Sequence, residues 1–215
     1  MLYGSFCKLL STECNKVKNE CVNNFFTSNA DKEIKLILLC GNHDAGMISN
    51  AATINEYKRN FGDDYYAYLT GGVMFVVINT SYLYYEKNEM EAKQYLWLKS
   101  VLNNESRNDM KHIVIFQHVP WFVREFNEPT SVENINAKYR ADYLNLLYKN
   151  GVKYIFAGHV HGNFETKFKD MNLITTTSLN CDGYNHPHGF RLVKVYENHI
   201  SHRFFALNET VEIQF

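Results

Sequence analysis

Three apolar runs in this chain each lead into a loop that carries histidine, and this repetition constrains the fold more tightly than any bulk property. Ile34-Lys35-Leu36-Ile37-Leu38-Leu39-Cys40 leads into Gly41-Asn42-His43-Asp44. Ile113-Val114-Ile115-Phe116-Gln117 leads into His118, and Val152-Lys153-Tyr154-Ile155-Phe156-Ala157 into Gly158-His159-Val160-His161-Gly162. Short runs rich in Ile, Val, Leu and Phe, bounded by turn-forming residues, read as buried strands. Each one places amide or imidazole groups on a tight loop at a strand end. Helical periodicity separates them. Residues 49–60 and 136–149 read as helices, the second stopping at Asn150-Gly151, a C-cap signal. Residues 89–103 read as a helix with Leu96, Trp97 and Val101 on one face. Leu10, Cys14, Val17, Cys21 and Phe25 predict an amphipathic helix over about 5–26. Residues 65–69 and 73–79 flank Gly71-Gly72 and read as a hairpin. Residues 173–178, 190–196 and 199–207 read as further strands. Strands alternate with helices early and run together late. The expected class is α/β (α+β layered), with a mixed sheet or two packed sheets.

At 215 residues, 46% of them hydrophobic, the chain suits a single domain with a sizeable core. A formal net charge of −1 and the lack of a basic stripe argue against nucleic-acid binding. No run of about 20 apolar residues exists, so no membrane span is expected. The N-terminus lacks the charged and apolar regions of a signal peptide. Cys7, Cys14 and Cys21 would lie about 10 Å apart along one helix, too far for disulfides. Intracellular, reduced thiols follow as the expectation. The sequence does not indicate an oligomeric state.

The loop chemistry points to metal. Asn42 offers an amide oxygen, and His118, His159 and His161 offer imidazole nitrogens, a mixture suited to Mn, Fe or Zn. At a loop, His159 and His161 can face two adjacent ions, with Gly158 and Gly162 expected to let the backbone bend. His43, next to Asn42, cannot easily reach the same ion. Its better use is against a bound phosphate or leaving group, oriented and kept charged by Asp44. A single strand-end histidine is usually structural, and Gly-Asn-His-Asp alone could be a turn. The conjunction of three such ends carries the metal reading. His112, His199 and His202 read as solvent-facing. His186 and His188, in the loop from Cys181 to Gly189, border a cleft or form a surface turn. Cys181 has no evident base partner.

Gly-Asn-His-Asp, the later strand-end His118 and Gly-His-Val-His together resemble signature motifs of the calcineurin-like metallophosphoesterases, a similarity that runs from about residue 31 to 209. Gly62-Asp63-Asp64-Tyr65-Tyr66, Gly71-Gly72-Val73, Phe116-Gln117-His118-Val119-Pro120, Gly151-Val152 and residues 182–190 resemble one branch, whose members are protein serine/threonine phosphatases. The resemblance implies a β-sandwich flanked by helices, with two divalent or trivalent metal ions at one edge. It implies that Asn42, His118 and His159 bind the second ion and His161 the first. His43, paired with Asp44, would assist direct attack on phosphorus by a bridging hydroxide. The implied partner is a cytosolic phosphoprotein bearing phosphoserine or phosphothreonine.

The chain departs from that pattern at its start. The family opens with a strand ending in Asp-x-His and then a Gly-Asp pair that supplies the bridging carboxylate. Residues 1–33 contain Glu13, Glu20, Asp31 and Glu33 but no histidine. The expectation is therefore one phosphoesterase domain over 1–215, truncated at the N-terminus and missing its first strands. An amphipathic helix would occupy 1–30 and the family-like region 31–209. Two divalent ions about 3.5 Å apart repel by roughly 20 kcal/mol even at an effective dielectric near 20. Without the bridging carboxylate, the chain is expected to load at most the second site, weakly. Three functions compete: a phosphoric monoester hydrolase in its complete form, a catalytically impaired pseudophosphatase or binding module, and a phosphodiesterase.

Overall fold

A computed structural model describes residues 23–25, 27–45, 49–84, 89–104, 110–179 and 184–209. The amphipathic helix expected over 5–26 lies outside these residues apart from 23–25, which are helical, as are 27–29. Cys181 and Asp182 also lie outside them.

Twelve elements follow in chain order: α1 (Ala51–Phe61), β1 (Tyr66–Thr70), β2 (Val73–Val77), α2 (Ser81–Tyr84), α3 (Glu89–Leu102), β3 (His112–Phe116), α4 (Ala137–Lys149), β4 (Tyr154–Ala157), β5 (Phe164–Phe168), β6 (Met171–Thr175), β7 (Gly189–Val195) and β8 (Ile200–Ala206). Six strands form one mixed sheet in the order β1-β2-β3-β4-β6-β5, and β7 and β8 form a separate ribbon. β2, β3, β4 and β6 run parallel, while β1 and β5 close the edges antiparallel. A parallel neighbour needs a crossover, which α3 supplies between β2 and β3 and α4 between β3 and β4.

The near-continuous apolar runs arise because both faces of the central strands are covered. Met74, Val76, Ile113, Ile115, Ile155 and Leu173 face α3 and α4, packing on Leu98, Leu102, Tyr143, Leu144 and Leu147. The alternate positions Val73, Val77, Val114, Phe116, Phe156 and Ile174 face the ribbon, where Ile200 and Val193 meet them. This layering gives a helix-flanked sandwich whose second sheet, among the described residues, has two strands.

Local signals account for several boundaries. Asn50 caps α1 through the amides of Ala52 and Thr53, and Thr53 returns the bond as a capping box. Gly71 and Gly72 both take positive φ, as a two-residue hairpin turn of this hand requires. Gly151, at φ 80°, stops α4.

Other expectations need correcting. Residues 34–40 join no ladder among the described residues. A strand needs a partner edge, and here the Leu38 carbonyl accepts instead from the Tyr66 hydroxyl at 2.7 Å, while Ile37 and Leu39 pack on the sheet face. The buried face of α3 is Gln94, Leu98 and Leu102, and Leu96 is 66% exposed. Gln94 turns inward because its side-chain amide pairs with both backbone groups of Asn79. β5 was not anticipated, although its alternation of Phe164, Thr166 and Phe168 with Glu165 and Lys167 is that of a half-buried strand.

Candidate metal centre

Parallel register brings the histidine loops to one end of the sheet. Phe116 lies opposite both Val77 and Phe156, so the chain leaves β2, β3 and β4 at one level. The Val119 amide donates to Thr80 Oγ1 at 2.8 Å, and the Gly158 amide donates to the His118 carbonyl at 3.0 Å. The loop after β4 is held from beyond: Thr175 and Thr177 hydroxyls donate to the Gly162 and His161 carbonyls.

Asn42, His118 and His159 meet there. His118 Nε2 lies 2.8 Å from Asn42 Oδ1 and 3.2 Å from His159 Nδ1. His159 Nε2 lies 2.7 Å from the Val132 carbonyl. A carbonyl only accepts, so Nε2 carries the proton and Nδ1 presents its lone pair to the centre. The Tyr84 hydroxyl also donates to Val132 O at 2.7 Å, and the Tyr84 ring meets the His159 ring edge-on. Burial pushes His118 well below the ordinary imidazole range, helped by the nearby His159, His43 and His161. His159 is lowered too, chiefly by burial, with His161 and His43 adding to the effect against the hydrogen bond to Val132.

The remaining sequence candidates take these places. His43 is exposed at the tip of its loop, and His161 is half-buried. Asp44 Oδ2 accepts from the Gly41 amide at 3.0 Å and closes that loop. His159 (φ 70°) and His161 (φ 52°) both adopt the left-handed backbone region, rather than Gly158 or Gly162. Strained φ at two non-glycine residues persists only where the surroundings enforce it. Gly162 is needed for room instead, since a Cβ there would stand 2.5 Å from Phe164 Cε2. Of the histidines read as solvent-facing, His202 is a correction. Its Nδ1 lies 2.8 Å from Arg191 Nη1, in a cluster with Glu165. Both loop histidines are docked: His186 Nδ1 accepts from the Asn163 amide at 2.6 Å, and His188 Nδ1 lies 3.3 Å from the Ser178 carbonyl. Val132 was missed altogether, because a backbone carbonyl has no residue-type signature.

The donor set fits one ion. Two ligands about 2.1 Å from a metal and about 90–110° apart lie roughly 3.0–3.4 Å from each other. The observed 2.8 and 3.2 Å match that spacing within a few tenths of an ångström. A single proton on His118 Nε2 can serve both neighbours. Among the described residues no group of three or more His, Cys, Asp or Glu side chains that could hold a metal ion converges anywhere, this centre included, where His118 and His159 are joined by the amide of Asn42.

A model of the calcineurin-like phosphoesterase family matches residues 11–163. The serine/threonine-protein phosphatase CPPED1 of Bos taurus is 33% identical over 184 residues, 85% of this chain and 59% of that protein. The human protein of the same name is 32% identical over 187 residues, again 85% of this chain and 59% of its own length. This chain thus spans about three-fifths of the length of these relatives. A dimetal phosphatase from Danio rerio shares the fold, with a TM-score of 0.50 and 19% identity, covering 66% of this chain and 58% of that one. The sequence motifs, the mixed sheet with flanking helices and these matches agree: the chain belongs to the calcineurin-like phosphoesterase family.

Proposed function

We propose that this chain carries the second-ion half of a metal-dependent phosphoric monoester hydrolase, which in its complete form acts on phosphoserine and phosphothreonine of cytoplasmic proteins. The observation that carries the reading is the convergence of Asn42 Oδ1, His118 Nε2 and His159 Nδ1 within 2.8 and 3.2 Å. The names of the relatives support the substrate class. A Mn, Fe or Zn ion bound there would polarise a phosphoryl oxygen and lower the pKa of bound water. The chain's own residues prepare that chemistry. Burial keeps His118 neutral, and the Val132 carbonyl keeps the His159 lone pair inward. His161, two residues on, is the one remaining imidazole for a partner ion. His43, at the exposed loop tip, would assist departure of the leaving group, with Asp44 holding the loop closed.

A one-ion module that binds phosphoproteins without hydrolysing them is the second reading. The neutral donor set favours it, since Asn42, His118 and His159 bring no negative charge to offset a second cation. Metal analysis with para-nitrophenyl phosphate turnover separates the two. Two equivalents of metal with turnover support hydrolysis by this chain. Less than one equivalent without turnover rules it out. Preference for the bis(para-nitrophenyl) ester would make the enzyme a phosphodiesterase instead. Where turnover is found, His43→Ala lowers it with metal content unchanged; loss of metal would contradict the role given to His43.

A further inference from the structure

The Val132 carbonyl fixes His159, yet nothing about Val132 itself holds it there. The residue is 76% exposed, so packing does not anchor it. Both acceptor positions of its carbonyl are nonetheless used, by His159 Nε2 and the Tyr84 hydroxyl, each at 2.7 Å. Two short bonds to one carbonyl require the surrounding main chain to be held in place.

Glu128 does that holding. Its Oε1 accepts from the Val123 amide at 2.7 Å, and its Oε2 from the Arg124 amide at 2.8 Å and the Glu125 amide at 3.3 Å. The same carboxylate accepts from Asn134 Nδ2 at 2.7 Å. Asn134 in turn closes the turn that contains Val132, accepting from the Ser131 amide at 2.9 Å and donating to the Pro129 carbonyl at 3.0 Å. One carboxylate therefore ties the start of the loop after His118 to the turn that faces His159. Hydrogen bonds to an ionised acceptor are among the stronger ones, and the buried Arg140 adds charged bonds to the Phe126, Glu128 and Ile135 carbonyls of the same loop. Among the described residues no other carboxylate on the loop is so engaged: the Glu133 carboxylate meets Arg124 at 3.8 Å.

We infer that Glu128 is a positioning residue for the centre: it sets the loop so that the Val132 carbonyl selects the Nε2–H tautomer of His159 and aims Nδ1 at His118 and Asn42. The final step, delivery of that lone pair to an ion, rests on the metal reading proposed above. The tautomer itself does not.

The test uses metal-free, 15N-labelled protein, with imidazole tautomers read from long-range 1H–15N correlations. Zinc affinity is measured separately by titration. In the unsubstituted protein His159 is expected as Nε2–H. Glu128→Gln turns an amide NH2 towards backbone N–H donors. His159 is then expected to average between tautomers in a protein that stays folded, and zinc affinity to fall about ten-fold, as is usual when an outer partner of a ligand is lost. Glu133→Gln is expected to change neither. If Glu128→Gln does not fold, Asn134→Ala cuts the tie alone and should give the same tautomer mixing. Folded Glu128→Gln or Asn134→Ala protein that keeps His159 as Nε2–H, with zinc affinity within two-fold, overturns the assignment. An unsubstituted protein with His159 as Nδ1–H overturns it too. Protein that holds the Nε2–H tautomer, loses it in Glu128→Gln and binds no zinc sinks the metal reading while upholding the positioning role.

Discussion

Replacing Gly41 with alanine tests the first loop without touching any donor atom. A Cβ at this position would stand 2.9 Å from Asp44 Oδ2, 3.2 Å from His118 Cε1 and 3.3 Å from His118 Nδ1. Gly41 is not among the glycines with positive φ, so the backbone accepts alanine and the whole effect is steric. Two movements can relieve the contact. Asp44 can release the Gly41 amide, losing a charge-assisted hydrogen bond worth about 1.5–3 kcal/mol. Alternatively, the His118 ring can shift a few tenths of an ångström against its buried surroundings, an overpacking cost of about 1–3 kcal/mol. Alanine also narrows the unfolded ensemble, which returns about 0.4–1 kcal/mol. The net expectation is about 1–2 kcal/mol of destabilisation. For a chain of this size that lowers Tm by about 2–8 °C. A shifted His118 ring also spoils its 2.8 Å approach to Asn42 Oδ1, so zinc affinity should fall about ten-fold or more. Thermal unfolding by circular dichroism and zinc titration of the same variant are the assays. A variant that melts within 1 °C of the parent and binds zinc equally would show that Gly41 is not packed against the centre as described.

In the β7–β8 ribbon, Gly189 sits opposite Ala206, and a Cβ there would come 2.1 Å from the Phe205 carbonyl and 2.5 Å from Phe204 Cζ. Gly189→Ala is expected to cost about 3 kcal/mol or more in urea unfolding, because backbone cannot step aside as a side chain can; an unchanged midpoint would refute the pairing. Glu128 gives a pH effect. Partial burial alone would raise its carboxyl, but the Val123 and Arg124 amides and the Asn134 side chain outweigh that and hold it below the usual glutamate range. Its contribution is therefore complete above the unfolded value near 4.5 and is lost as pH falls through the lower folded value. Amide exchange at Val123 and Arg124, corrected for the intrinsic pH dependence, should speed up in that window, and an Asn134→Ala variant should do so from a higher pH. Exchange that ignores pH across the window would count against the tie.

What could be read from residues alone was local. The Gly71-Gly72 turn and the Gly151 stop are each set by a few neighbouring residues, and both sit where the pattern puts them. The face of α3 was misjudged because the amide of Gln94 is buried by a partner fifteen residues earlier, Asn79, which no helical period reveals. His202 was misjudged in the same way, since Arg191 on the neighbouring strand takes it inward. Residues 34–40 have a strand's composition, but a ladder is a property of two segments, and here the Tyr66 hydroxyl stands in for an edge.

The sequence by itself determined which chemistry the strand ends carry: an amide at Asn42, imidazoles at His118, His159 and His161, and the apolar runs that bury the strands delivering them. Only the tertiary structure decided that Asn42, His118 and His159 meet within hydrogen-bonding distance while His43 stays in solvent. It alone brought in Val132 and, behind it, Glu128. The reason is physical. Side-chain type and two-residue alternation are written along the chain, whereas the distance between two strand ends depends on which strands pair and in what register. A backbone carbonyl that aims a histidine carries no letter of its own.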